Sequence, residues 1–206
     1  MKYTLAFLAM TLPTVHASAA LWQITWTGNV NTVDTELASF FSVGDTVTGV
    51  LVFDDTTPDT DTDTLNSGSY VGESFVLTIN RQLGADYVSG TESGKAFISI
   101  TNDASLTDRL SVGGGKLIGP DVNGIPANSA GISLRDSTGT AIDSPALPTT
   151  LNLGDWDTTD FSVGFENGVE ADLRGNVTGL SLVQVPEPTS LALLGLGGLL
   201  IARRRR

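Results

Sequence analysis

The chain has 206 residues, a net charge of −12 and no cysteine; its one histidine, His16, and both methionines, Met1 and Met10, sit close to the N-terminus. Past His16 no side chain offers an imidazole or a thiol, which excludes Ser-His-Asp triads, Cys nucleophiles and the usual zinc and copper sites. Between residues 20 and 185, six bases stand against 22 acids, a net of −16, which repels nucleic acid and anionic membrane surfaces.

In chain order, "MKYTLAFLAMTLPTVHASAA" comes first. Lys2 supplies a positive start, Leu5 to Leu12 an apolar stretch, and Pro13 a helix break. Ala17-Ser18-Ala19 then has the small-x-small form that signal peptidase cuts. Residues 1–19 therefore read as a secretory signal peptide, cleaved after Ala19 or Ala20. Export without cysteine means that no disulfide braces the mature protein in its oxidising compartment.

The region 20–185 alternates with period 2, the pattern of half-buried strands. Trp22, Ile24 and Trp26 share one face, and Phe75, Leu77 and Ile79 another. The theme returns at Ile98 and Ile100, Leu110 and Val112, Ile132 and Leu134, and Phe161, Val163 and Phe165. Thr46 to Phe53 and Val177 to Val185 read as two further strands, and Thr32 to Phe41 as one or two helical turns. β-Branched residues fill these segments, while Gly, Asn, Asp, Ser and Pro fill the gaps. Eight or nine such strands predict one all-β domain, an antiparallel β-sandwich of jelly-roll or immunoglobulin-like type, with a barrel as the rival.

Three places within the domain bear on chemistry. In the acidic loop, Asp59, Asp61 and Asp63 alternate just after Asp54 and Asp55. Oxygen ligands so spaced suit Ca²⁺, but Thr64 and Tyr70 stand where an EF-hand needs Gly and Glu. A solvated turn, its Asp and Thr side chains bonding their own backbone, competes with a calcium site. Trp156, in "LGDWDTTD", is the aromatic to consider for stacking on a sugar; Trp22 and Trp26 face the core. Glu73, Glu92, Glu166 and Glu170 have no motif around them, so a carboxylate-based glycoside hydrolase is a remote alternative. "SVGGGKL" lacks the GxxxxGK[ST] of a phosphate loop.

The chain ends in "VPEPTSLALLGLGGLLIARRRR". Pro186 and Pro188 separate the last strand from the apolar stretch after them. That stretch, Thr189 to Ala202, carries no charge and would make a helix of about 21 Å. That is short for a span, but Arg203, Arg204, Arg205 and Arg206 suit the cytoplasmic membrane face and their stems can snorkel. The reading is a C-terminal transmembrane helix.

Pro186-Glu187-Pro188, an apolar stretch and a terminal arginine cluster, in that order, resemble the PEP-CTERM sorting signal. The resemblance implies recognition by an exosortase, a membrane-embedded cysteine-type transpeptidase or protease, with processing near Pro-Glu-Pro. It also implies a Gram-negative-type bacterium that makes exopolysaccharide. "VGDTVTGVLVFDDTTPDTDTDTLNSGSYVG" (Val43 to Gly72) is similar to a stretch recurring in such proteins, without an assigned chemistry.

The chain thus divides into a signal peptide (1–19), a secreted β domain (20–185) and a sorting signal (186–206). The expected protein is non-catalytic and needs no cofactor. It passes through the secretion machinery and an inner-membrane intermediate, then reaches the cell surface or extracellular matrix, with exopolysaccharide or biofilm as its setting. The alternative is a lectin-like or calcium-dependent carbohydrate-binding module.

Overall fold

A computed structural model of the chain describes residues 19–62, 65–103 and 107–186. The two ends, where the signal peptide and the C-terminal transmembrane helix were expected, lie outside the described residues. Among the described residues no helix is long and apolar enough to cross a membrane.

The described chain is all-β and antiparallel. Its strands are β1 (Leu21–Val33), β2 (Thr46–Asp54), β3 (Ser67–Gly72), β4 (Ser74–Asn80), β5 (Tyr87–Thr91) and β6 (Ala96–Thr101). They continue with β7 (Asp108–Gly115), β8 (Leu117–Ile118), β9 (Ala127–Asp136), β10 (Thr158–Glu166) and β11 (Glu170–Gln184). The alternation drives these elements. In β4, Phe75, Leu77 and Ile79 are buried while Ser74, Val76 and Asn80 face water; in β10, Phe161, Val163 and Phe165 point inward. Residues 34–41 make hydrogen-bonded turns without a regular helix, with Leu37 and Phe41 buried beneath them.

The two-sheet sandwich is corrected. All eleven strands form one hydrogen-bonded sheet in the order β3-β6-β7-β9-β10-β11-β1-β2-β4-β5-β8. The long strands β1 and β11 explain why. They pair along almost their whole lengths, with register shifts at Thr27/Gly28 and Val30/Thr32, and bulges of this kind bend and twist a sheet without breaking it. The sheet therefore curls over one core, half-barrel fashion, instead of splitting into two layers. Its two limbs meet inside: Gly114 of β7 lies against Phe75 of β4 and Thr91 of β5. Trp26 stacks on Phe161 at 5.7 Å, and Phe41, Tyr87 and Phe165 pack edge to face or tilted at 5.7–5.8 Å.

In the stretch Val43 to Gly72 the distinctive residues serve as scaffolding. Gly44 has φ +92°, a left-handed conformation that favours glycine. The buried Asp45 accepts from the Ser42 and Gln82 backbone N–H groups, both at 2.9 Å, and so ties two turns together. A Cβ on Gly49 would sit 2.2 Å from the Trp26 ring. The Tyr70 hydroxyl donates to the Pro145 carbonyl at 3.0 Å, and Gly68 leaves room for its ring.

Candidate functional site

The two ends of the domain meet at one end of the sheet. Trp22, near the start of β1, is opposite Gln184, the last residue of β11. The Val185 N–H donates to the Leu21 carbonyl at 2.8 Å. Pairing stops there because Pro186, which is exposed, has no N–H to donate. On the other side of β1, the Ala20 N–H donates to Asp55 Oδ1 at 3.0 Å and the Asp55 N–H to the Ala20 carbonyl at 3.1 Å. Ala20 is the residue that cleavage after Ala19 would leave as the new N-terminus, so its α-ammonium would then face a carboxylate. Ala19 is half-buried. Ala17, Glu187, Pro188 and the four terminal arginines lie outside the described residues.

The acidic loop follows β2. Asp54 Oδ1 accepts from the Thr56 N–H and hydroxyl at 2.7 and 2.6 Å. Asp59 Oδ1 accepts from the Asp61 and Ser69 N–H groups at 2.9 and 2.8 Å, and Asp61 Oδ2 accepts from the Ser67 hydroxyl at 2.9 Å. The Thr60 N–H and hydroxyl both reach the Ser69 carbonyl. Asp59 and Asp61 thus brace the turn onto β3. Asp63, the third expected calcium ligand, lies outside the described residues. Among the described residues no three His, Cys, Asp or Glu side chains come together to hold a metal ion. A cleft of about 360 Å³ beside the loop is lined by Trp22, Phe53, Asp55, Asp59, Tyr70 and Pro148, among others. Tyr70 titrates above its usual range, first because of burial and then because of the Asp59 charge.

Trp156 is not displayed. It follows a single 3-10 turn (Leu153–Asp155), and its side chain enters the core with 8 % exposure. That leaves no ring face for a sugar, so this residue is corrected from candidate ligand contact to core. Flanking acids made it look exposed, but the loop lays Trp156 inward and Asp157 outward. Asp157 Oδ2 accepts from the Ser137 N–H at 2.7 Å and from its hydroxyl, which holds its carboxyl below the usual range. Trp22 also differs: Trp26 is fully buried, but Trp22, four residues nearer the strand end, is half-buried and walls the cleft.

Besides Asp45, two further buried carboxylates escaped the sequence reading. Asp108 and Asp136 sit opposite each other on β7 and β9, at 0 % and 3 % exposure. Asp136 accepts from the Thr138 N–H (2.8 Å) and hydroxyl (2.7 Å), the Thr140 N–H (2.7 Å) and hydroxyl (3.3 Å), and the Ala141 N–H (2.9 Å). Those bonds, led by that from the Thr140 N–H, push its carboxyl far below the ordinary range. Asp108 accepts from the Asp103 and Ile142 N–H groups. "DSTGT" at 136–140 is an Asx-turn signature that marks the first of them. Both carboxylates are spent on holding loops, a structural use of charge.

The molecule is thus an all-β domain whose ends leave side by side, followed by a separate C-terminal processing segment. Residues 184–206 match the PEP-CTERM protein-sorting motif, which starts on the last residue of β11. The chain carries the sorting signal of an exported protein processed by an exosortase. No curated protein and no solved structure matches it.

Proposed function

We propose that this is a non-catalytic protein of the cell surface or extracellular matrix, associated with exopolysaccharide and processed by an exosortase in a Gram-negative-type bacterium. The observation that carries the reading is the sorting motif at 184–206, joined to the domain where β11 ends and β1 begins. With both ends leaving from one end of the sheet, the signal peptide and the apolar C-terminal segment can occupy the same membrane while the domain folds outside it. Cutting near Pro186 then costs the fold nothing, because β11 is complete at Gln184. The non-catalytic part of the reading is supported by the lack of any Cys or His beyond residue 16.

Mass spectrometry of the protein from its native host tests this reading. The expected C-terminus of the exported form falls near Pro186 to Pro188, and deletion of the exosortase leaves the tail intact. Molecules outside the cytoplasmic membrane that mostly retain Arg206 would overturn it. The matrix setting has its own test. In a strain unable to make exopolysaccharide, the protein is expected in the medium instead of sedimenting with the matrix.

A further inference from the structure

Only six bases lie between residues 20 and 185, and two of them are neighbours. Arg109 on β7 is directly opposite Arg135 on β9. With Thr101 on β6 and Thr158 on β10 they form one row across the outer face of the sheet. Like charges directly opposite on paired strands destabilise a sheet. In a domain with 22 carboxylates each arginine could easily have been given an acid. Arg174 has one, Asp172 at 2.5 Å, and Arg81 lies over the Phe40 ring and donates to its carbonyl. Among the described residues, the Arg109 and Arg135 guanidinium groups have neither a hydrogen-bond nor an ion-pair partner. Both side chains are exposed.

Asp103 borders the same cleft, while the acids next to the arginines in sequence or register do not explain the pair. Asp108 and Asp136 adjoin the arginines in sequence but point to the opposite face, where backbone N–H groups and threonine hydroxyls occupy them. Asp157 is held by Ser137. The arginines open into a cleft of about 310 Å³ that they share with Thr101, Asp103 and Thr107. Distant acids of the domain are screened beyond about 8 Å at physiological salt. The next outer row along the same strands is Ser111 opposite Ser133, small side chains that leave the cleft open on that side.

We infer that Arg109 and Arg135 form a binding site for an oxyanion: a carboxylate, sulfate or phosphate group. A guanidinium offers a planar fork of donors that matches such groups in bidentate fashion, and two forks side by side can hold one anion between them. The Thr101 side chain borders the same space. An anion seated there also removes the repulsion between the two cations.

Protein purified from the exported fraction of its host can be titrated calorimetrically at constant ionic strength. The probes are sodium sulfate, inorganic phosphate, glucuronate, a glucuronate oligomer, and glucose as the neutral control. The oxyanions are expected to bind and glucose is not. Arg109→Gln and Arg135→Gln should each weaken binding about tenfold, as loss of a charge-assisted hydrogen bond does. Arg109→Lys keeps the charge but not the fork and should also weaken it. Arg174→Gln removes the same charge elsewhere and should leave affinity unchanged. Melting curves of each variant check that the fold survives; both residues are exposed, so little change is expected. Tighter binding of the glucuronate oligomer than of free ions assigns the site to an acidic glycan, and equal binding assigns it to the ion itself; either supports the site. Absence of oxyanion binding, or an equal loss in Arg174→Gln, overturns it.

Discussion

Residues 54–61 hold four aspartates in eight positions, and the eye finds them at once; Asp136 stands in an ordinary Ser/Thr-rich stretch and draws no notice. Their places in the molecule are reversed. In the acidic loop Asp54, Asp59 and Asp61 are only half-buried and accept from residues no more than ten positions away, so water can reach the donors they would leave. Asp136 is buried and accepts from three backbone N–H groups and two hydroxyls. A carboxylate's structural weight follows the number of donors aimed at it and the lack of water around it, not the number of acids beside it in sequence.

The sharpest way to break this contrast is to remove the carboxylates one at a time. Asp136→Ala should produce the largest fall in melting temperature of any single acid-to-alanine change, since the whole turn from Ser137 to Ala141 loses its acceptor. The effect should depend on pH in a defined sense. The folded-state pKa of Asp136 is depressed, so its contribution is fully present above the unfolded value of about 3.8 and is lost as pH falls toward the folded pKa. The stability gap between wild type and Asp136→Ala should therefore be constant from neutral pH down to about pH 4 and close in more acid solution. A gap that stays open as pH falls would mean that packing, not the charge, holds the turn.

Asp108→Ala comes next, at roughly 2–4 kcal/mol by urea denaturation, because two N–H groups beneath the loops lose their acceptor. Asp108→Asn, which keeps one acceptor oxygen, should recover part of that loss. The smallest effect is expected in the loop that looked most special: Asp59→Ala should cost about 1 kcal/mol, with water taking over the Asp61 and Ser69 N–H groups. If Asp59→Ala proves as damaging as Asp108→Ala, the two regions do not differ as described.

Much of the fold was legible from alternation. The strongly patterned segments at 21–33, 46–54, 74–80 and 158–166 are strands, and their apolar sets face the core. Strands β3, β5 and β8 were not legible. Ser67-Gly68-Ser69 carries no apolar alternation, Tyr87 to Thr91 has only two large apolar side chains, and β8 is two residues long. The Trp156 environment was misread for a related reason. Neighbouring acids predict exposure only if a loop runs outward, and this one turns its tryptophan back onto the core.

The sequence by itself determined the sorting signal at the C-terminal end and the all-β character of the middle. A sorting signal is a linear string read by a membrane enzyme, and a strand's two faces follow from a period of two. Which strands pair was decided only by tertiary structure. That choice placed β11 beside β1, joining one curled sheet where two were expected, and it set Asp108 against Asp136 on the inside. It also set Arg109 against Arg135, 26 residues further along the chain, on the outside. These neighbours come from the antiparallel register of β7 and β9, which is set by packing across the whole core. A local pattern of residues carries no record of it.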